Sequence, residues 1–276
     1  IKEYFIRNGP KIFFLNVFAF LKRTFLTKNI GEFPFKYLFL RRRILIRKFC
    51  KEYLLDFDSQ NIKTFFNYYL DVSKLNHDSV VYSFGLHTNI HFEEYLIKRF
   101  NCRVFCFDPT PASVNLMKNL ENTKIIYKPF GIWKEDKKVK FYYPDSALPD
   151  SYNGSIVNYT GDASKGDYLQ CYKLKTLMKV NNHTNIDVLK MDIEGAAIEV
   201  LNQILEDSIF PEQIAVEFEV TENDNISKQE FIDLTENIIE LIKKLESLNY
   251  KCYHMPRFSN QPYSSIEVLF VKNIHL

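Results

Sequence analysis

The chain has 276 residues, 46% of them hydrophobic, which suits one large α/β domain or one domain with an extension and excludes a low-complexity disordered polymer. Net charge is +2, yet residues 1–55 hold 13 Lys or Arg against 3 Asp or Glu, a net of +10, and residues 56–276 carry −8. The five cysteines show no CxxC pair and no zinc-ligand spacing, and Cys102 and Cys106, four strand steps or roughly 13 Å apart, lie too far from each other for a disulfide.

Residues 1–76 read as a helical, basic extension. Pro10 and Pro34 each stand where a first helical turn can start, and Asn29-Ile30-Gly31 can end the first helix. Phe35, Leu38, Phe39, Leu45, Ile46, Phe49 and Tyr53 then recur at helical spacing, opposite a stripe of Lys36, Arg43, Arg47 and Lys51. Two readings of the stripe stay open: a solvated face, or a dock for an anionic membrane surface, glycan or nucleic acid. The run "IFFLNVFAFL" at 12–21 falls short of the ~20 residues a membrane span needs and ends at Lys22-Arg23. The expectation is a soluble chain that can lie peripheral to a membrane.

From residue 77 onward the pattern alternates. "SVVYSFG" (79–85) predicts a strand, "HFEEYLIKRF" (91–100) a helix and "RVFCFD" (103–108) a strand, with Thr110-Pro111 as N-cap and first turn of the helix that follows. A strand lies within 124–133, and 138–144 and 167–174 predict added ones. Residues 144–167, rich in Asp, Ser, Asn, Gly and Pro, predict a long surface loop of the kind that covers binding sites. Then come a strand at 186–192, a helix from about Gly195 to Glu206, a strand at 212–220, an amphipathic helix at 228–248 and two closing strands at 250–255 and 265–272. Such alternation predicts a mostly parallel, seven-stranded sheet with helices on both faces in a domain spanning residues 77–276.

Ligands of open parallel sheets bind beyond the carboxyl ends of the strands, where strand order reverses. Those ends carry Phe84-Gly85-Leu86-His87-Thr88-Asn89, then Asp108, then Phe130-Gly131, then Asp192 and Glu194, and finally Glu217 and Glu219. Asp108 follows Gly85 at the spacing at which an acid accepts hydrogen bonds from ribose hydroxyls. A dinucleotide pyrophosphate would need glycines where His87 and Ile90 stand, whereas S-adenosylmethionine has no pyrophosphate and tolerates a bulkier loop.

The segments "IDVLKMDIEGAAIEVL", "FPEQIAVEFEV", "VYSFG" and "VFCFDPTP" resemble the FkbM-type methyltransferases, especially the methyltransferase-like branch with a Ser-Phe-Gly first motif, over roughly residues 79–272. The resemblance implies a class I, Rossmann-like methyltransferase fold, S-adenosylmethionine as donor and a sugar hydroxyl or other small-molecule or glycan acceptor. By position it places Gly85, with Leu86, His87 and Asn89, at the donor's amino acid part. It places Asp108, with Pro109 and Thr110, at the ribose, Phe130-Gly131 at the adenine side, and Asp192 and Glu194 beside the transferred methyl, with Asp192 also contacting the donor.

The chain departs from the family pattern at Ala197, where Glu is usual, at Asn89, where an acid is usual, and at Glu219, where His is usual. Simpler roles stand beside these assignments: Asp192 as a helix cap, Glu194 as a dipole partner, Asp108 as a turn residue, His183 as an exposed loop residue. No metal site is assigned, although Asp192 with Glu217 or Glu219 could hold Mg²⁺ against sugar hydroxyls. A catalytically lapsed binding protein and a nucleic-acid methyltransferase remain alternative functions. No RNA-recognition motif supports the latter, and no specific nucleic acid is expected as a partner.

Overall fold

In the computed structural model the described residues are 61–65, 68–86, 88–118, 120–143, 154–156, 164, 166–219, 228–254 and 265–273. The expectations for residues 1–60, including the basic stripe, for His87 and for most of the 144–167 loop lie outside them. The chain divides into two units, Ile1–Glu52 and Tyr53–Leu276, and all that follows concerns the second.

In chain order the elements are β1 (Ile62–Phe65), β2 (Tyr68–Asp71), β3 (Val80–Phe84), α1 (His91–Phe100), β4 (Arg103–Phe107), α2 (Pro111–Met117), β5 (Ile125–Lys128), β6 (Gly131–Ile132), β7 (Lys137–Phe141), β8 (Asp167–Tyr172), α3 (Leu174–Val180), β9 (Val188–Met191), α4 (Ala197–Glu206), β10 (Gln213–Glu219), α5 (Lys228–Ser247), β11 (Tyr250–His254) and β12 (Ser265–Lys272). Seven strands form the main sheet in the order β11-β12-β10-β9-β3-β4-β5. The pairs from β5 to β10 are parallel, and β12 runs antiparallel to both of its neighbours. Strand order reverses between β3 and β9, which makes that junction the switch point. The added strands of the sequence reading form a separate three-stranded sheet, β6-β8-β7.

The central strands are buried on both faces, so their sequences run nearly continuously apolar. Register sorts their side chains. Val81, Val104 and Val188 align on one face, followed two residues on by Cys106, Ser83, Lys190 and Ala215. The alternate residues Phe84, Phe107, Met191 and Val216 face the opposite way. Helices α4 and α5 pack on each other, α4 also against β10 and α5 against β11. They bury Val200, Leu201, Ile204, Ile238, Leu241, Ile242 and Leu245 at helical spacing.

The first face is covered differently from expectation. The helical reading up to residue 76 is corrected at residues 62–65 and 68–71, which are strands. Residues 62–65 and 68–71 pair as the two antiparallel strands of a hairpin, with Ile62 opposite Asp71 and Phe65 opposite Tyr68, followed by a single 3-10 turn at Val72–Lys74. Aromatic and β-branched residues (Ile62, Phe65, Tyr68, Tyr69) favour a strand over a helix once a sheet face is there to receive them. Ile62, Phe65, Tyr68 and Leu70 join Val81, Leu86, Phe92, Leu96, Val104 and Val188 in one core. The hairpin is also tied to β10 by a reciprocal pair: the Asp71 backbone N–H donates to Gln213 Oε1 at 2.7 Å, and Gln213 Nε2 donates to the Asp71 carbonyl at 3.0 Å. No helix among the described residues is long and apolar enough to cross a membrane.

Gln213 is fully buried, so replacing it by Ala strands both backbone groups of Asp71. Urea unfolding should show Gln213→Ala to be less stable by about 1–3 kcal/mol.

Candidate active site

The site is built where β3 and β9 end side by side. Gly85 has φ +77°, and a Cβ there would lie 1.7 Å from the Asp192 carbonyl oxygen. Only glycine lets the two strand ends approach this closely. The Asp192 N–H donates to the Phe84 carbonyl at 3.1 Å and the Gly85 N–H to the Phe107 carbonyl at 3.2 Å, so β3, β4 and β9 are laced together at the rim.

Beyond Asp192 the backbone turns through two left-handed positions, Glu194 at φ 42° and Gly195 at φ 83°, before α4 begins at Ala197. The glycine makes this reversal cheap, whereas Glu194 is held in it. Ser155, from the long loop, donates its hydroxyl to the Glu194 carbonyl at 2.8 Å and exchanges two backbone hydrogen bonds with Tyr142. Ser155 is thereby pinned to the crevice rim. Asp192 does not cap α4: the N-cap position belongs to Ala196.

Asp108 is 5% exposed and its carboxylate is engaged within the protein. Oδ2 accepts from the Leu86 N–H at 2.8 Å, and Oδ1 accepts from the Thr110 N–H at 2.9 Å and its hydroxyl at 2.7 Å. Asp108 thus ties the turn after β3 to the start of α2. The Thr110 hydroxyl serves this tie instead of capping the helix, although Pro111 does open α2. Asn89 stands just before α1, its side-chain oxygen accepting weakly from the His91 N–H at 3.4 Å. Gly131 is buried against Cys171, Pro109 and Phe141, which places β6 beside Pro109. The Phe130 ring meets Tyr172 edge-on at 5.0 Å. Gly85, Leu86, Asp108, Pro109, Thr110 and Gly131 are thereby brought into one connected rim.

Three contributors had escaped the sequence reading. Lys190, on the central strand, is 4% exposed and donates from Nζ to the carbonyls of Phe84 and Gly85, 3.9 Å from Asp192 Oδ2. Glu93, on the buried side of α1, accepts from the Ser83 hydroxyl; burial pushes its carboxyl up, against the pull of Lys190. Tyr68, from the hairpin, donates its hydroxyl to Asp192 Oδ2 at 2.8 Å. A lysine inside "VLKM" was the legible signal, since a cation in a doubly buried strand needs partners. Nothing in the sequence announces Tyr68.

Glu219 ends β10 and accepts from the Gly195 N–H at 2.7 Å through Oε2; Oε1 has no hydrogen-bond partner among the described residues. Burial foremost pushes its carboxyl up to about 8, with Asp192 adding to the rise. His183, expected in solvent, is half-buried against Tyr82 and Phe105, and burial lowers its pKa. Among the described residues no three His, Cys, Asp or Glu side chains gather to hold a metal ion.

The Methyltransferase FkbM domain matches residues 80–252, more than half of the chain. The chain belongs to the FkbM methyltransferase family. Its strand order and this membership make it an S-adenosylmethionine-dependent methyltransferase of class I fold. No curated protein matches the sequence. Similar solved structures include a fibrillarin pre-rRNA processing protein of Methanococcus jannaschii (11% identity, 76% of this chain and 70% of that one, TM-score 0.40). Aeropyrum pernix fibrillarin with natively bound S-adenosyl-L-methionine is similar at 10% identity (73% and 70%, TM-score 0.40). The plantazolicin methyltransferase BpumL in complex with SAH is similar at 12% identity (71% and 76%, TM-score 0.36).

In this FkbM domain the Glu219 carboxyl holds its proton well above the ordinary 4.5. Between about 4.5 and 8 the folded chain therefore binds a proton that the unfolded chain has lost, so this group's stabilisation falls as pH rises through that window. Glu219→Gln keeps an acceptor for Gly195 and removes the titration. Urea unfolding at pH 5 and pH 8 should show a smaller loss of stability between the two for Glu219→Gln than for the unaltered chain.

Proposed function

We propose that the crevice between β3 and β9 binds S-adenosylmethionine and directs its methyl to a hydroxyl, that of a sugar or glycan. The observation that carries the reading is the contact of Gly85 with the Asp192 backbone. It brings the donor-side turn and a partly exposed carboxylate to one point of the switch crevice.

When bound, the donor supplies an electrophilic methyl on sulfur. The chain's own task is alignment and proton handling, since displacement at that carbon must be in line. Gly85 and Leu86 would line the donor's amino acid part. Asp108 would fix their turn and face the ribose, with Pro109 and Thr110 alongside. Phe130, edge-on to Tyr172, would wall the adenine side together with Gly131. The hydroxyl proton would pass to Asp192. Glu219 is a poor candidate for that step, because at neutral pH its carboxyl already carries a proton. Glu194 would contribute through its backbone position, held by Ser155.

Calorimetry with S-adenosylhomocysteine tests the donor half. Asp108 holds the donor-side turn at Leu86 against Thr110 through charge-assisted hydrogen bonds, so Asp108→Ala should loosen that turn and weaken binding by at least about tenfold. Unchanged affinity in the folded variant would remove Asp108 from the donor site. A failure of the unaltered chain to bind would instead favour a lapsed, scaffold-type protein.

The acceptor half is tested by a screen of glycans with methyl-labelled donor. On the acceptor found, Asp192→Asn should lower kcat by about 10²–10⁴-fold, the usual contribution of a positioned proton acceptor, while donor affinity changes by less than about tenfold. Near-normal kcat would place the base elsewhere.

A further inference from the structure

The matched family segment begins at residue 80, yet one of the groups touching Asp192 comes from before it. The Tyr68 hydroxyl donates to Asp192 Oδ2, and Lys190 Nζ approaches the same oxygen at 3.9 Å. Among the described residues neither group contacts Oδ1. The Asp192 side chain is 34% exposed, and both of these contacts fall on Oδ2.

Resting on the reading above, we propose that Tyr68 is a positioning residue, which aims the Asp192 carboxylate at the transferred methyl, and that the β1–β2 hairpin is therefore part of the catalytic site.

Each component of the geometry restrains the next. Lys190 cannot swing away, because it donates to the carbonyls of Phe84 and Gly85 and lies 5.1 Å from the centre of the Tyr68 ring. Tyr68 cannot swing away either: it is buried, its ring meets Phe92 edge-on at 5.3 Å, and the hairpin beneath it is anchored to Gln213. Burial, and then the carboxylates of Asp192, Glu217 and Glu267, push the phenol well above the usual tyrosine range. Tyr68 therefore stays protonated and always donates. An aspartate turns freely about its last bond in water, and a fixed donor on one oxygen removes that freedom before substrate arrives.

The test needs no acceptor. Sinefungin has a carbon bearing a protonated amine in place of the sulfur of S-adenosylhomocysteine, with the amine where the methyl sits, so a carboxylate aimed at that point favours sinefungin. The measured quantity is the ratio of the two dissociation constants from calorimetry at pH 7. The unaltered chain should prefer sinefungin, and Asp192→Asn should reduce the preference by about tenfold or more. Tyr68→Phe keeps the ring packing and should reduce it by a similar factor, leaving S-adenosylhomocysteine affinity within about twofold. The double variant Tyr68→Phe/Asp192→Asn should lose no more than Asp192→Asn alone, a non-additivity that general loosening of the fold does not produce. An unchanged preference in folded Tyr68→Phe, with Asp192→Asn reducing it, overturns the inference and leaves the proposed function standing. If S-adenosylhomocysteine fails to bind the unaltered chain, the proposed function falls and takes this inference with it.

Discussion

Burying the Lys190 ammonium would cost several kcal/mol if its charge and its N–H donors went unanswered. The answer is distributed over three segments of the chain. The carbonyls of Phe84 and Gly85 accept from it, Asp192 stands within ion-pair distance, and the Glu93 carboxyl, from α1, is drawn by its charge against the effect of burial. The lysine is thus the point at which β3, β9 and α1 must agree in register. A slip of one residue would turn Lys190 to the face packed by Phe84 and Phe107, where no such partners lie. The crevice depends on this register, because Asp192 follows Lys190 two residues on, just beyond the strand's end, with Oδ2 3.9 Å from the ammonium.

Above that charge the backbone performs a second selection. Gly85 passes under the Asp192 carbonyl, and the Glu194–Gly195 pair reverses the chain within two residues. Both features bring backbone to the crevice without filling it with side chains. Asp108 then converts loop into scaffold: by joining Leu86 to Thr110 it makes the turn after β3 and the start of α2 move as one piece. Preorganisation of this kind suits a displacement whose rate is governed by alignment more than by exotic chemistry.

The carboxyl groups around the crevice divide by environment. Asp192 reaches solvent and is met by a hydroxyl donor and a nearby ammonium. Glu219 is buried, with one oxygen on the Gly195 N–H, and desolvation keeps it protonated near neutrality. Two carboxyl groups at adjacent strand ends thereby sit in different environments, one reaching solvent and one desolvated.

The strand–helix alternation, the parallel sheet and the gathering of Gly85, Asp108, Gly131 and Asp192 at strand ends were legible in the sequence, because each is a local pattern. Apolar runs of four to seven residues between helical periods specify buried strands, and a glycine or acid at a strand's end specifies where the chain leaves the sheet. Lys190 and Glu93 were half-legible, as charges on otherwise apolar faces. The hairpin at 62–71 was not. Its residues are compatible with a helix until a sheet face exists to take Ile62, Phe65, Tyr68 and Leu70, and strand preference depends on that context. The orientation of Asp192 was likewise beyond any reading of "KMDIEG". It depends on a phenol that the chain places more than a hundred residues earlier, and only tertiary packing brings such a donor within 2.8 Å of its acceptor.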